Sequence, residues 1–150
     1  PVQRLREDDA IGSLNLDHAC LGPIGAALLG LMLPAVTSVR SLSIGRNVIG
    51  VEGAFALVAV LKETQITTLG IGDIGDKGAS ALAAILKETM ISNLNLCRNR
   101  LGPEGGLALA EGLKGNTTLR SLNLRFNNIG VEGASALAAI LKKTMISDLG

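Results

Sequence analysis

Aromatic residues are almost missing from this chain. It has two phenylalanines, Phe55 and Phe126, and no tyrosine or tryptophan in 150 residues, although 47% of the sequence is hydrophobic. A core without large rings must be filled by Leu, Ile, Val and Ala, which suits one thin layer repeated many times better than a single irregular globule. Cysteine is equally scarce: Cys20 and Cys97 are too few for a disulfide scaffold and fit a reducing compartment. The single histidine, His18, and the lack of any His/Cys cluster at ligand spacing argue against a metal centre. Excess charge of one sign is lacking too. A formal net charge of +1 gives no strong field toward nucleic acid or an anionic membrane. No apolar run reaches the roughly 18 residues of a membrane span, and the stretch over residues 26–36 is short and carries Pro34. The start of the chain shows no basic, apolar, small-residue leader. A cytoplasmic location is the expectation.

What is present is a repeat. The pattern apolar-x-x-apolar-x-apolar starts at Ile11, Val39, Ile66, Ile91 and Leu119 and begins again at Ile146, in steps of 28, 27, 25, 28 and 27 residues. The last two apolar positions of each copy alternate with a small or polar residue, the period of a strand with one buried face. A turn follows, then apolar-Gly-x-x-Gly and an Ala/Leu-rich run, as in Ile49-Gly50-Val51-Glu52-Gly53-Ala54 and Ile129-Gly130-Val131-Glu132-Gly133-Ala134. Apolar residues three and four apart there predict helices with one buried face. The unit is therefore strand, turn, helix, turn, with parallel strands on one side and helices on the other. Residues 78–94 match residues 133–149 except that Glu88 is replaced by Lys143 and Asn93 by Asp148. Duplication is the plain reading.

These residues resemble the ribonuclease-inhibitor-like subfamily of leucine-rich repeats. The features that carry the resemblance are the Leu-x-x-Leu-x-Leu cores, the Asn three residues past the last core position (Asn47, Asn99, Asn127) and the Leu/Ile-Gly-x-x-Gly-Ala helix starts. The resemblance implies an α/β leucine-rich repeat solenoid, a horseshoe segment with a parallel concave sheet and convex helices, in which each Asn forms a ladder with neighbouring turns. It also implies protein binding rather than catalysis, as an interaction scaffold or, alternatively, as the repeat region of a NOD-like receptor or of a GTPase-activating regulator similar to that of Ran. No cofactor is expected. Ala19 replaces the Asn in the first repeat, and the third is two residues shorter between Ile71 and Ile74. A weaker ladder and a local change of curvature are expected at those places.

The whole chain, 1–150, reads as one repeat domain. Residues 1–10 are expected to be the tail of a preceding repeat, because Leu5 precedes Ile11 as Leu33 precedes Val39. Five repeats start at 11, 39, 66, 91 and 119, with a partial one over 146–150. Neither end resembles an amphipathic cap, so the expectation is a fragment of a longer array, or ends covered by other chains or by self-association.

Three motifs have plainer readings. Gly70-Ile71-Gly72-Asp73-Ile74-Gly75 has the form of a dinucleotide fingerprint, but Gly72 and Gly75 match Gly45 and Gly50 of the repeat, and the spacing results from the deletion. Asn116-Thr117-Thr118 has the form of a glycosylation sequon but falls at a helix-to-strand turn. Cys20 and Cys97 lie three layers apart, about 14 Å at roughly 4.8 Å per strand, beyond the about 7 Å a disulfide spans. Asp17 beside His18 lacks a nucleophile and reads as a surface pair.

Strand alternation predicts the partner-facing surface. Residues between and just after the core positions, Arg40 and Arg120 among them, are expected on the concave side. Asp17, His18, Arg46, Asp73, Cys97, Arg98, Arg125 and Phe126 are the candidate contacts with a protein partner. Arg and aromatic side chains contribute much of the energy at interfaces, so Arg46, Arg98, Arg125 and Phe126 form the preferred strip. Phe126 stands where the other repeats carry a charged or polar residue.

Overall fold

A computed structural model describes residues 12–149. The expected repeat tail over residues 1–10, the first strand position Ile11 and the terminal Gly150 lie outside the described residues. The elements alternate: β1 (Ser13–Asn15), α1 (Gly22–Met32), β2 (Ser41–Ile44), α2 (Gly50–Leu61), β3 (Thr68–Ile71), α3 (Gly75–Ile85), β4 (Asn93–Asn95), α4 (Pro103–Leu113), β5 (Ser121–Asn123), α5 (Gly130–Leu141) and β6 (Asp148–Leu149). Short 3-10 turns, Leu33–Ala35 and Leu86–Glu88, extend α1 and α3.

The six strands form one parallel sheet in sequence order. Register pairs equivalent residues: Leu14 with Leu42, Leu42 with Leu69, Leu69 with Leu94, Leu94 with Leu122, and Leu122 with Leu149. The odd lengths of the repeats are therefore absorbed in turns and never in the ladder, because a one-residue slip would turn each buried Leu to the surface. Val39, Leu42, Ile44, Ile66, Leu69, Leu94, Leu96, Leu119 and Leu122 point inward to meet Leu57, Leu61, Leu82, Leu86, Leu109 and Leu113 from the helices and the turn that extends α3.

Neighbouring strands lie about 4.8 Å apart, whereas helices pack at about 8–10 Å. This mismatch puts the sheet on the concave side and the helices on the convex side of an α/β solenoid. Small residues keep the helices close. A Cβ on Gly30 would press on the Ala56 carbonyl oxygen, one on Gly112 would strike the Ala83 backbone, and one on Gly106 would strike Gly133 Cα. The lack of aromatic residues follows from this spacing. Helix starts carry Glu52, Asp76, Glu104 and Glu132 in their first turns, which complements the helix dipole. Helix α1 differs in having no charged residue at all.

Candidate interaction surface

The turns after β1, β3 and β4 are held by an asparagine ladder whose bonds run backward. Asn47 Nδ2 donates to the Leu16 carbonyl (2.8 Å) and Asn47 Oδ1 accepts from Leu21 N–H (3.2 Å), both in the preceding turn. Asn99 repeats this with Ile71 O (2.7 Å) and Ile74 N–H (3.0 Å), and Asn127 with Leu96 O (2.8 Å) and Leu101 N–H (3.0 Å). Ala19 therefore does not weaken the first turn, which Asn47 serves; this corrects the expectation from the sequence. The Asn missing from the third repeat is instead missed by the second, where Val48 N–H reaches Asp73 Oδ2 at 3.2 Å.

The turn also sets the backbone of the rim. The second residue after the last core position is His18, Arg46, Asp73, Arg98 or Phe126 in the five repeats, and all five are left-handed, with φ of 60°, 55°, 59°, 60° and 57°. Glycine would adopt this conformation without steric penalty. A bulky side chain there is uncommon, and strain of this kind concentrates at sites of function.

Below the rim lies the concave floor, a trough of about 380 Å³ lined by Ser41, Ser43, Thr68, Gly70, Asn93, Asn95, Ser121 and Asn123. It adjoins a groove of about 280 Å³ whose lining includes Asp17, Arg46, Cys97, Arg98 and Phe126. Five of the eight candidate residues thus share one groove. His18 joins from outside through its Nε2, 3.3 Å from Arg46 Nη1. Arg125 joins through Phe126: the Arg98 and Arg125 guanidinium carbons lie 4.7 and 5.6 Å from the ring centroid, within cation–π range. Phe126 is nonetheless 65% exposed.

Asp73 is not among the groove residues; its carboxylate holds the Val48 turn. Asp17 lines the groove with a committed oxygen, because Oδ1 accepts from Ser43 Oγ (2.8 Å) and Gly45 N–H (2.6 Å). Arg40 and Arg120, expected on the concave surface, turn back to donate to the Thr37 and Thr117 carbonyls at 2.5 and 2.7 Å. The rim groups are therefore mainly cationic and aromatic.

A model of the family described as "Leucine Rich repeat" matches residues 37–58, 72–83, 89–110 and 115–138, more than half of the chain. The chain belongs to the leucine-rich repeat family. Among solved structures it is similar to one described as "Leiomodin-1 Actin-Binding Site 2 (ABS2)", at 21% identity with a TM-score of 0.59, covering 100% of this chain and 76% of that one. A search of curated proteins finds no match.

The plainer readings of the motifs hold in the leucine-rich repeat frame. Gly75 N–H and Ile74 N–H both donate to Asn99, which uses up donors that a phosphate cradle would need. Asn116 is buried, and its Oδ1 accepts from Thr118 and Leu119 N–H, so the sequon is a structural turn. Both cysteines are free thiols. Among the described residues no His/Cys/Asp/Glu group could hold a metal ion, and no helix is long and apolar enough to cross a membrane.

One residue without any motif proved structural. Asp76 Oδ1 accepts from Gly102 N–H (2.7 Å) and Gly105 N–H (3.0 Å), and so caps α4 from the preceding repeat. Its position is Val51 in the second repeat, Pro103 in the fourth and Val131 in the fifth, so only a comparison of copies could have singled it out.

Proposed function

We propose that this leucine-rich repeat segment is a non-enzymatic protein-interaction scaffold that grips its partner on the concave face, at the rim formed by Arg46, Arg98, Arg125 and Phe126. One observation carries the reading. An exposed aromatic ring stacked under two arginines crowns a column of left-handed residues, none of them glycine, although glycine would be the least strained choice. Arg98 and Phe126 line the same groove as Asp17, Arg46 and Cys97, with His18 and Arg125 attached at its edges. The leiomodin-1 structure it is similar to is named as an actin-binding site, which is in keeping with a protein partner. The asparagine ladder and helical convex side support repeats of the ribonuclease-inhibitor-like kind. The free thiols are in keeping with a cytoplasmic setting. A NOD-like receptor and a GTPase-activating regulator are parents in which such a segment would serve the same binding role.

Site-specific photocrosslinking tests this. A benzoyl-phenylalanine at position 126 should yield a discrete protein adduct in extracts of the source cells, whereas the same group at Phe55 on the convex side should not. Loss of the adduct on Arg98→Gln or Arg125→Gln is expected. Equal crosslinking from both faces, or indifference to both arginines, would overturn the concave assignment.

A further inference from the structure

The rim is not evenly filled. Arg46 leaves β2 and Arg98 leaves β4, while the intervening third repeat offers Gly70 and Gly72 where the fourth repeat carries Asn95 and Cys97. Asp73, the one acid of the left-handed column, is held by Val48 N–H. The result is a notch whose floor over the third repeat is largely backbone, with a guanidinium on either side and Asp17, its Oδ1 taken by Ser43 Oγ and Gly45 N–H, among the lining. Among the described residues the ion pairs are Lys62 with Glu88 and Lys114 with Glu111, and neither arginine has an acidic partner there.

We propose that this notch takes an acidic peptide segment of the partner, with two carboxylates about 9–10 Å apart, one for Arg46 and one for Arg98. The proposal rests on the concave-face reading above and adds the partner's chemistry to it. Two strand spacings separate the arginines' anchor points by about 10 Å. A polyproline-like segment has three residues per turn and rises about 3.1 Å per residue, so residues i and i+3 share a face about 9 Å apart. Guanidinium and carboxylate match in plane as a two-pronged pair. The Arg98 guanidinium carbon lies 4.7 Å from the Phe126 ring centroid, and this cation–π contact leaves the positive charge unneutralised for an acidic acceptor. A polynucleotide would need a longer basic track with several stacking rings. This rim has a single ring, on a chain of net charge +1.

Fluorescence anisotropy on the full chain tests the assignment, with a fluorescein-labelled peptide containing Glu-Pro-Pro-Glu. Its Gln-Pro-Pro-Gln counterpart and a labelled oligothymidylate serve as comparisons. The acidic peptide should bind and should weaken as salt rises from roughly 50 to 300 mM. Arg46→Gln and Arg98→Gln should each weaken it about ten-fold, while Arg120→Gln, outside the groove, leaves it unchanged; circular dichroism verifies that each variant is folded. Equal binding of the glutamine peptide, insensitivity to Arg46→Gln and Arg98→Gln, or tighter binding of the oligothymidylate would overturn the proposal. If the acidic peptide fails while the position-126 crosslink persists and needs Arg98, the concave reading stands and the acidic-peptide assignment falls. If both fail, both fall.

Discussion

At the scale of single residues, the turns store strain in some places and satisfy buried polar groups in others. Val48 is β-branched, left-handed at φ 51° and 75% exposed, so its side chain is strained while packing against little. Asn tolerates this region better than a β-branched residue does. Val48→Asn is therefore expected to raise stability by about 1 kcal/mol, read as a higher urea midpoint with an unchanged slope. Asn99 is the opposite case. It is fully buried and satisfies Ile71 O and Ile74 N–H in the turn below. Asn99→Ala leaves both without partners and should cost about 3 kcal/mol, since each buried orphan costs about 1–3. Asn127 makes similar bonds but is only half-buried, so Asn127→Ala should cost clearly less in the same unfolding experiment. Equal losses would mean that solvent access does not set the cost of breaking the ladder.

At the scale of elements, periodicity made the strands and helices legible because each buries one face, and burial leaves a pattern in side-chain type. The strand cores around Leu42, Leu69, Leu94 and Leu122 and the helices beginning near Gly50 and Gly130 follow the repeat directly. Hydrogen bonds between repeats leave a pattern only where one residue recurs, as with Asn47, Asn99 and Asn127. Asp73 occupies a rim position by alignment, yet the two-residue deletion brings it to Val48 N–H. Arg40 and Arg120 alternate outward correctly, but their reach lets them fold back on Thr37 and Thr117. The cap from Asp76 to α4 is likewise invisible to periodicity. Because an acidic cap neutralises orphan N–H groups and meets the positive end of the helix, Asp76→Ala should cost about 1–2 kcal/mol. Asp76→Asn, which keeps an acceptor, should cost less. Hydrogen exchange at the Gly102 and Gly105 amides is the direct check: unchanged protection in Asp76→Ala would mean the cap contributes nothing to holding α4.

At the scale of the molecule, a solenoid is a row of units that contact only their neighbours, so its stability divides into units and the seams between them. The seams here are unequal. The contact between α2 and α3 is the thinnest of the four helix pairs, and it falls where the third repeat is short. The ladder is also poorest there, a single 3.2 Å bond from Val48 N–H to Asp73 in place of an asparagine bonded on both sides. Against this, the β2–β3 register is complete over Ser41–Ile44 and Thr68–Ile71, so the sheet continues across the seam while the convex side loosens. A thin seam opens before the units on either side of it unfold. Native-state hydrogen exchange in low denaturant should therefore resolve two cooperative blocks, repeats one and two in one and repeats three to five in the other. Inserting Asn-Val between Asp73 and Ile74 restores the length and ladder residue of the second repeat's turn, and should merge the blocks into one with a steeper urea transition. A parent chain that already exchanges as a single block, or an insertion that leaves two blocks unmerged, would show that the sheet, not the helices and ladder, sets cooperativity along the array.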